Sequence, residues 1–339
     1  MRASVLRDGR MVLRDDVVEP VPGPGEVLVG VTACGICGSD LHFAKHGAQM
    51  VRLTREITGM PIEGGLPVDV AGDVFMGHEF SAEVLEAGPD TDAPPAGTAV
   101  TSLPVLLSPK GFEPILASNT TMGGYAERML LSAPLLLRLP TGMDPRHAAL
   151  AEPMAVGLHA VNKSAIQPGE EALVIGCGPI GIAIIAALRH RGVESVVASD
   201  YSGMRRELAM TMGAHRTVDA TRESPFDTAK PAVVFEAVGV PGIVNDVLRR
   251  APIATRVIVA GVCMEADTVM PLFGISKEIS LQFVNAYDYN EFAESLRAIG
   301  EGEIDVAPLI TGEVGLEAVG QAFDDLSEPD AHCKILVLP

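Results

Sequence analysis

Tryptophan is absent, and only 4 tyrosines and 10 phenylalanines occur in 339 residues, too few aromatics to form a platform on which nucleic-acid bases could stack. Basic residues are scarce as well: 25 Lys and Arg stand against 44 Asp and Glu, a formal net charge of −19. Such a surplus repels a phosphate backbone, and no basic stripe overrides it, so the sequence argues against a nucleic-acid partner. The five cysteines, Cys34, Cys37, Cys177, Cys263 and Cys333, form an odd and scattered set. They suit reduced thiols with a metal ligand among them better than a disulfide framework. No apolar run of membrane-spanning length is uninterrupted: Ala172 to Leu188 is broken by a glycine-rich turn whose backbone groups lipid would leave unsatisfied. Met1 to Gly9 carries Arg2, Arg7 and Asp8 where a secretion signal has its apolar centre. A cytoplasmic protein with no membrane partner is expected.

What the chain does have is glycine and proline, 35 and 25, in a sequence that is 47% hydrophobic. This is the composition of an α/β protein rich in tight turns, and the length suits about two domains. Up to about Leu150, short strand-like runs such as Val27 to Val31 and Ser81 to Glu86 alternate with turns at Pro20 to Gly25, Gly64-Gly65, Pro94-Pro95 and Gly123-Gly124. Asp144 and Pro145 read as the cap and first residue of a helix. From Glu170 the pattern changes to apolar runs alternating with helical segments: Ala172 to Ile175, Pro179 to Arg191, Ser195 to Ser199, Gly203 to Met212, Ala232 to Phe235, Val240 to Arg250 and Arg256 to Ala260. Repeated βαβ alternation implies a parallel sheet with helices on both faces.

Within that alternation lies Gly176-Cys-Gly178-Pro179-Ile180-Gly181, a G-x-G-x-x-G turn between a buried strand and an apolar helix. Gly176 permits the tight turn, Gly178 lets the backbone approach a pyrophosphate, and Gly181 allows the helix to pack close to the strand, its N-terminus facing the phosphates. A glycine turn alone would be weak testimony. Asp200, 19 residues beyond Gly181 at the end of the next apolar run, can accept hydrogen bonds from the adenine-ribose hydroxyls and would repel a 2′-phosphate, which favours NAD over NADP. Arg205 and Arg206 follow it, readable either as solvated helix residues or as a phosphate clamp. Val238 and Val262, just past the runs Ala232 to Phe235 and Arg256 to Ala260, complete the expected cofactor contacts.

A second constellation is Cys34-Gly-Ile-Cys37-Gly-Ser39-Asp40-Leu-His42, followed 41 residues after Cys37 by Gly77-His78-Glu79. With Gly123-Gly-Tyr-Ala-Glu127, Glu152-Pro-Met-Ala-Val-Gly-Leu-His159 and the dinucleotide turn, it resembles the zinc-dependent medium-chain alcohol dehydrogenases, nearest the polyol and threonine dehydrogenase branch. The resemblance covers nearly the whole chain in order. It implies a β-rich GroES-like catalytic domain from 1–151 and 287–339, with a Rossmann doubly wound parallel sheet, 152–286, inserted between them.

Carried over residue by residue, the resemblance makes Cys37 the thiolate ligand of a zinc ion, His78 the imidazole ligand, and Glu79 a carboxylate that ligates or withdraws. Glu152 falls where other branches have a cysteine, so two acids compete for the remaining positions. Zinc alcohol dehydrogenases are themselves a type case of catalytic zinc held by two cysteines and one histidine, and this chain departs from that set. Zinc would act as a Lewis acid that lowers the pKa of the alcohol, so that hydride can leave for the nicotinamide. Ser39 matches the residue that takes the substrate proton and passes it by way of the nicotinamide ribose to His42. Asp40 matches the residue that orients the metal-binding imidazole. Cys34 reads as structural, because nothing around Cys34 and Cys37 suggests a thioredoxin-like sheet.

Thr101 to Met122 contains no cysteine, so the second, structural zinc of many relatives is not expected. The stretch from Phe43 to Met76 is longer than relatives have there and reads as an extra loop beside the substrate mouth. Its apolar residues point to a secondary or moderately apolar alcohol. Two other readings compete: a zinc-free quinone or enone reductase of the same fold, opposed by Cys37, His78 and Glu79, and a non-catalytic dinucleotide-binding protein, opposed by Ser39 and His42. A homodimer or homotetramer is expected, with Leu281 to Ala286 suited to a subunit contact.

Overall fold

In Glu26-Val-Leu-Val-Gly-Val-Thr-Ala-Cys-Gly35 the apolar residues are buried almost without a break, and the segment forms the long strand Glu26–Gly35 at the centre of a sheet. The computed structural model describes residues 1–58, 68–108, 111–328 and 330–339. Their contacts divide the chain into two units, Met1–Glu152 with Ile310–Pro339, and Pro153–Leu309.

In the first unit a seven-stranded sheet runs in the order Leu136–Arg138, Ala99–Ser102, Glu79–Ala87, Glu26–Gly35, Lys334–Val337, Ile310–Val314, with Arg128–Ser132 also paired to Glu26–Gly35. Val27, Val29, Phe80, Val84, Met129, Leu131, Ile335 and Val337 fill its core. Two pairings bring distant residues together. Gly35 stands opposite Glu79 in one antiparallel ladder and opposite Leu336 in the other. The start of the Glu79 strand and the C-terminal strand therefore meet at the end of the central strand, beside the Cys37 turn.

The second unit is a six-stranded, wholly parallel sheet. Its strands lie in the order Arg216–Asp219, Val196–Asp200, Ala172–Ile175, Val233–Glu236, Arg256–Val259, Ser280–Phe283, which in the unit's own count is the 3-2-1-4-5-6 order of a Rossmann fold. Helix Pro179–His190 starts with Gly178 as cap and Pro179 in its first turn, and buries every residue from Gly181 to Leu188. An apolar surface all round marks a helix enclosed by its own domain.

The architecture departs from expectation in three places. Residues 43–58 are not loop but most of a helix, Gly38–Thr58, which buries Phe43 and Val51 and kinks at His46 (φ −131°). Of the remaining insert, Met60 and Leu66 lie outside the described residues. The third strand, Arg216–Asp219, escapes notice in the sequence because it buries only Val218 and reads as polar. The second crossing between units falls at 309/310 rather than 286/287. Helix Tyr289–Gly300 stays with the parallel sheet because it buries Phe292, Leu296 and Ile299 there, and its Glu291 pairs with His159 Nδ1 (2.7 Å) and accepts from Asn162 (2.9 Å). Among the described residues no helix is long and apolar enough to cross a membrane.

Candidate metal and dinucleotide sites

Cys37 ends the turn after the central strand, and Gly38 opens the helix that carries Ser39, Asp40 and His42. Glu79 opens the adjoining strand and His78 immediately precedes it, after Gly77, whose φ of +99° only glycine adopts comfortably. One ligand atom from each of Cys37, His78 and Glu79 lies within 4.8 Å of the others, the one such group among the described residues. Thiolate, imidazole and carboxylate are zinc's ligand types, and ligand atoms about 2.0–2.3 Å from one tetrahedral ion stand roughly 3.5 Å apart. The group fits zinc. Glu152, in the first turn of helix Ala151–Ser164, is not part of it.

Around these three the polar partners are specific. Asp40 is buried, and its Oδ2 accepts from the backbone N–H of Cys37 (3.0 Å) and from the hydroxyl of buried Tyr125 (2.6 Å), while Oδ1 stands 3.5 Å from Nδ1 of His78. That Nδ1 has no firmer partner, and the other ring nitrogen, Nε2, lies 3.4 Å from Ser39 Oγ. Burial works against a charged His78, but the charges of Asp40 and Cys37 outweigh it and hold its pKa well above the usual imidazole value in the metal-free site. Ser39 and His42 are exposed. Cys34 is wholly buried, a side chain at Gly124 would come within 2.4 Å of its sulfur, and burial pushes its thiol pKa up. It packs and does not ligate.

Lys334 was not anticipated. Its ammonium is 1% exposed and donates to both carboxylate oxygens of Glu79 at 2.7 Å and to the carbonyl of Ile36 at 3.0 Å. Burial alone would lower its pKa, but the Glu79 carboxylate, itself 0% exposed, raises it instead. Glycine at 35 makes room for this pair, since a Cβ there would stand 2.1 Å from Glu79 Oε2. The signal was available in the sequence: a lysine opening the apolar terminal strand Lys334-Ile-Leu-Val requires a buried counter-charge.

In the parallel sheet, the glycine turn has the form a dinucleotide needs. Gly176 has φ +92°, a Cβ at Gly181 would stand 1.8 Å from the Gly176 carbonyl, and at Gly178 a Cβ would enter open space near Arg205. Pro179 and Ile180 follow in the first helical turn. Asp200 closes the neighbouring strand and accepts from the backbone N–H of Cys177 (2.7 Å) and of Ser202 (2.8 Å). Arg206 is held by Asp219 (3.1 Å) and by the carbonyls of Asp200 and Tyr201. A cavity of about 490 Å³ lies beside Asp200, lined by Ile175, Ser199, Tyr201, Ile243, Val247 and Arg250 among others. Val238 and Val262, on the loops after the fourth and fifth strands, are 41% and 58% exposed.

Residues 23–141 match the alcohol dehydrogenase GroES-like domain and residues 179–301 the zinc-binding dehydrogenase family. The chain is 29% identical to (R,R)-butanediol dehydrogenase of Bacillus subtilis, with 100% of both chains covered, and 24% identical to sorbitol dehydrogenase of the same organism, covering 100% of this chain and 97% of the other. Among solved structures, a zinc-binding dehydrogenase of Sinorhizobium meliloti bound to NADP superposes with a TM-score of 0.84 at 26% identity, covering 100% of this chain and 99% of that one. Family matches on both halves of the fold, in the order the metal group and the glycine turn require, place this chain in the zinc-dependent medium-chain alcohol dehydrogenase family, as a polyol dehydrogenase-like enzyme that interconverts alcohol and carbonyl.

Proposed function

We propose that this enzyme oxidises a secondary alcohol, one carbon of a vicinal diol or short polyol, to a ketone with NAD. The reading rests above all on the convergence of Cys37, His78 and Glu79 next to the exposed hydroxyl of Ser39. Cys37, His78 and Glu79 would hold one zinc ion, with Lys334 sharing the charge of Glu79. When bound, zinc supplies the Lewis acidity that makes an alcohol acidic near neutral pH, and NAD supplies the hydride acceptor. Asp40 fixes the ring of His78 from behind. Ser39 takes the substrate proton, and His42, three residues along the same helix, delivers it towards solvent. The alcohols named for the butanediol and sorbitol dehydrogenase relatives motivate the diol; Phe43 is buried in the core and adds no preference for a less polar chain.

Asp200 supports NAD over NADP. Its carboxylate sits where a 2′-phosphate would bring like charge, and Arg206 is already engaged by Asp219. Arg205, beside Gly178, suits the pyrophosphate rather than the 2′ position. The adenosine half would enter the cavity lined by Ile175, Ser199 and Tyr201. Among the described residues no disulfide joins any of the five cysteines, which suits a reducing cytoplasm. A homodimer or homotetramer is supported by the edge strand Ser280–Phe283, exposed along its whole length with Leu281 and Phe283 uncovered.

The test is a turnover screen of butanediols, short polyols and simple secondary alcohols with NAD and with NADP, run beside elemental analysis. Oxidation of secondary diols with NAD, about one zinc per chain and loss of both metal and activity in Cys37→Ala are expected. Undiminished turnover by zinc-free Cys37→Ala would overturn the metal reading. A preference for NADP would overturn the role of Asp200.

A further inference from the structure

Glu236 closes the strand Val233–Glu236 and is 1% exposed, a carboxylate buried at the end of an otherwise apolar run. Among the described residues no cation pairs with it as Lys334 does with Glu79. Instead its Oε1 accepts from the backbone N–H of Val238 (2.7 Å) and of Gly239 (2.8 Å), and its own carbonyl accepts from the N–H of Ala260 (2.8 Å) and of Gly261 (2.9 Å). One residue thus ties down two loops: 237–239 through its side chain and 260–262 through its backbone. The loops lie against each other with no space for side chains between them. A Cβ at Gly239 (φ +74°) would stand 2.6 Å from the carbonyl oxygen of Val262, and one at Gly261 would stand 2.3 Å from the Gly239 nitrogen and 2.7 Å from Glu236 Oε2. Val238 in turn reaches the glycine turn, its Cγ2 lying 2.6 Å from where a Gly176 Cβ would be.

Position in the sheet says which part of a ligand these loops face. In an open parallel sheet the ligand lies across the carboxyl ends of the strands, over the point where the strand order reverses. Here that point is the strand Ala172–Ile175, with Asp200 at the end of its neighbour on one side and Glu236 at the end of its neighbour on the other. If adenosine takes the Asp200 side, the other half of the dinucleotide crosses the glycine turn to the Glu236 side. There it meets Val238 and Val262, both exposed.

We propose that Glu236 is a positioning residue for the nicotinamide half of the cofactor: its buried carboxylate sets the 237–239 loop, and through the Gly239–Gly261 contact the 260–262 loop, so that Val238 and Val262 face the nicotinamide. An apolar residue would pack as well in this place and would avoid burying a carboxylate, but it would leave two N–H groups unsatisfied and the loop free to turn them elsewhere. The inference rests on the dinucleotide reading above and adds a division of labour: Asp200 serves one half of the molecule and Glu236 the other.

The experiment compares binding of NADH with binding of ADP-ribose, which lacks the nicotinamide ring, in the full-length zinc-loaded enzyme by titration calorimetry. Glu236→Leu should weaken NADH by about tenfold or more while leaving ADP-ribose within about twofold. Glu236→Gln, whose amide oxygen can still accept from Val238 and Gly239, should recover most of the NADH affinity. Should Glu236→Leu not fold, Gly239→Ala, whose Cβ would press on the backbone of Val262 (2.6 Å from its carbonyl oxygen), disturbs the same loop contact with the carboxylate left in place and should show the same selectivity. Equal losses for both ligands, or a loss for neither, in a folded variant would overturn the role of Glu236. Wild-type enzyme binding neither ligand would overturn the dinucleotide reading, and this proposal with it.

Discussion

The two units each bury a glutamate at the end of a strand and solve the resulting electrostatic problem differently. Glu79 meets a cation, Lys334, brought from the far end of the chain by strand pairing. Glu236 meets two amide N–H groups of its own next loop. A counter-charge leaves the carboxylate able to share itself with a second cation, as a metal-site acid must. Amide hydrogen bonds fix geometry and have no such second use. The metal group is accordingly made of side chains gathered from several segments, whereas the dinucleotide cradle is made of backbone whose shape glycines permit. Substitutions should therefore act on the first unit through charge and on the second through loop position.

The sharpest way to break that contrast is Lys334→Met, which keeps the volume and removes the cation. Taking one partner from a buried pair leaves an uncompensated charge, and such losses run to about 3–5 kcal/mol. Chemical denaturation of the metal-free protein should show the first unit destabilised by that order. Excess zinc should restore part of the loss, because a divalent ion can take the place of the ammonium beside Glu79. Unchanged stability would mean that Glu79 takes up a proton at little cost, and that the pair is incidental to the site.

A smaller effect is expected from Tyr125→Phe, which removes only the hydroxyl that donates to Asp40 at 2.6 Å. Asp40 would keep the Cys37 N–H but lose its anchor on the side away from His78, and the ring would lose its fixed partner. Outer partners of metal ligands typically contribute about 10–100-fold in metal affinity. Competition with a chromophoric chelator should show zinc bound more weakly by that range, while NADH affinity, which depends on the other unit's backbone, stays as in wild type. A matching fall in NADH affinity would blur the separation between the two sites.

How far the sequence announced all this depended on whether a signal was local. The strand, turn and helix around Gly176 to Gly181 are contiguous, so this local structure, and Asp200 at the end of the next strand, could be read directly as a candidate dinucleotide site. Cys37, His78 and Glu79 were legible through a spacing shared with a family, not through any periodicity. Lys334 and Tyr125 were not read as site residues, because strand pairing over long sequence separation brings them in: the Lys334–Glu79 contact spans 255 residues. Glu152 shows the reverse, a motif position that the fold leaves outside the metal group. The helix through Phe43 to Thr58 was hidden because polar and apolar residues mix there, and its buried contacts are the few provided by Phe43 and Val51.

The smallest effect belongs at the outer edge of the metal site. His42 lies exposed on the helix after Cys37, and partial burial together with the nearby His46 and Lys45 lowers its pKa below the ordinary imidazole value of about 6.5. A lowered pKa favours the neutral ring, so His42 can accept a proton throughout the neutral range and loses that capacity only as pH falls through its own pKa. Alcohol oxidation by the wild type should accordingly hold through neutral pH and decline on the acid side. In His42→Ala the neutral-pH rate should fall by less than about tenfold, because water or buffer can carry a proton from a solvent-facing position, whereas an enclosed acid–base group contributes about 10²–10⁴-fold. Added imidazole should restore the variant in proportion to its neutral fraction, with zinc content and NADH affinity unchanged. A variant that keeps the wild-type rate at every pH and ignores imidazole would remove His42 from the proton's route and leave Ser39 exchanging directly with solvent.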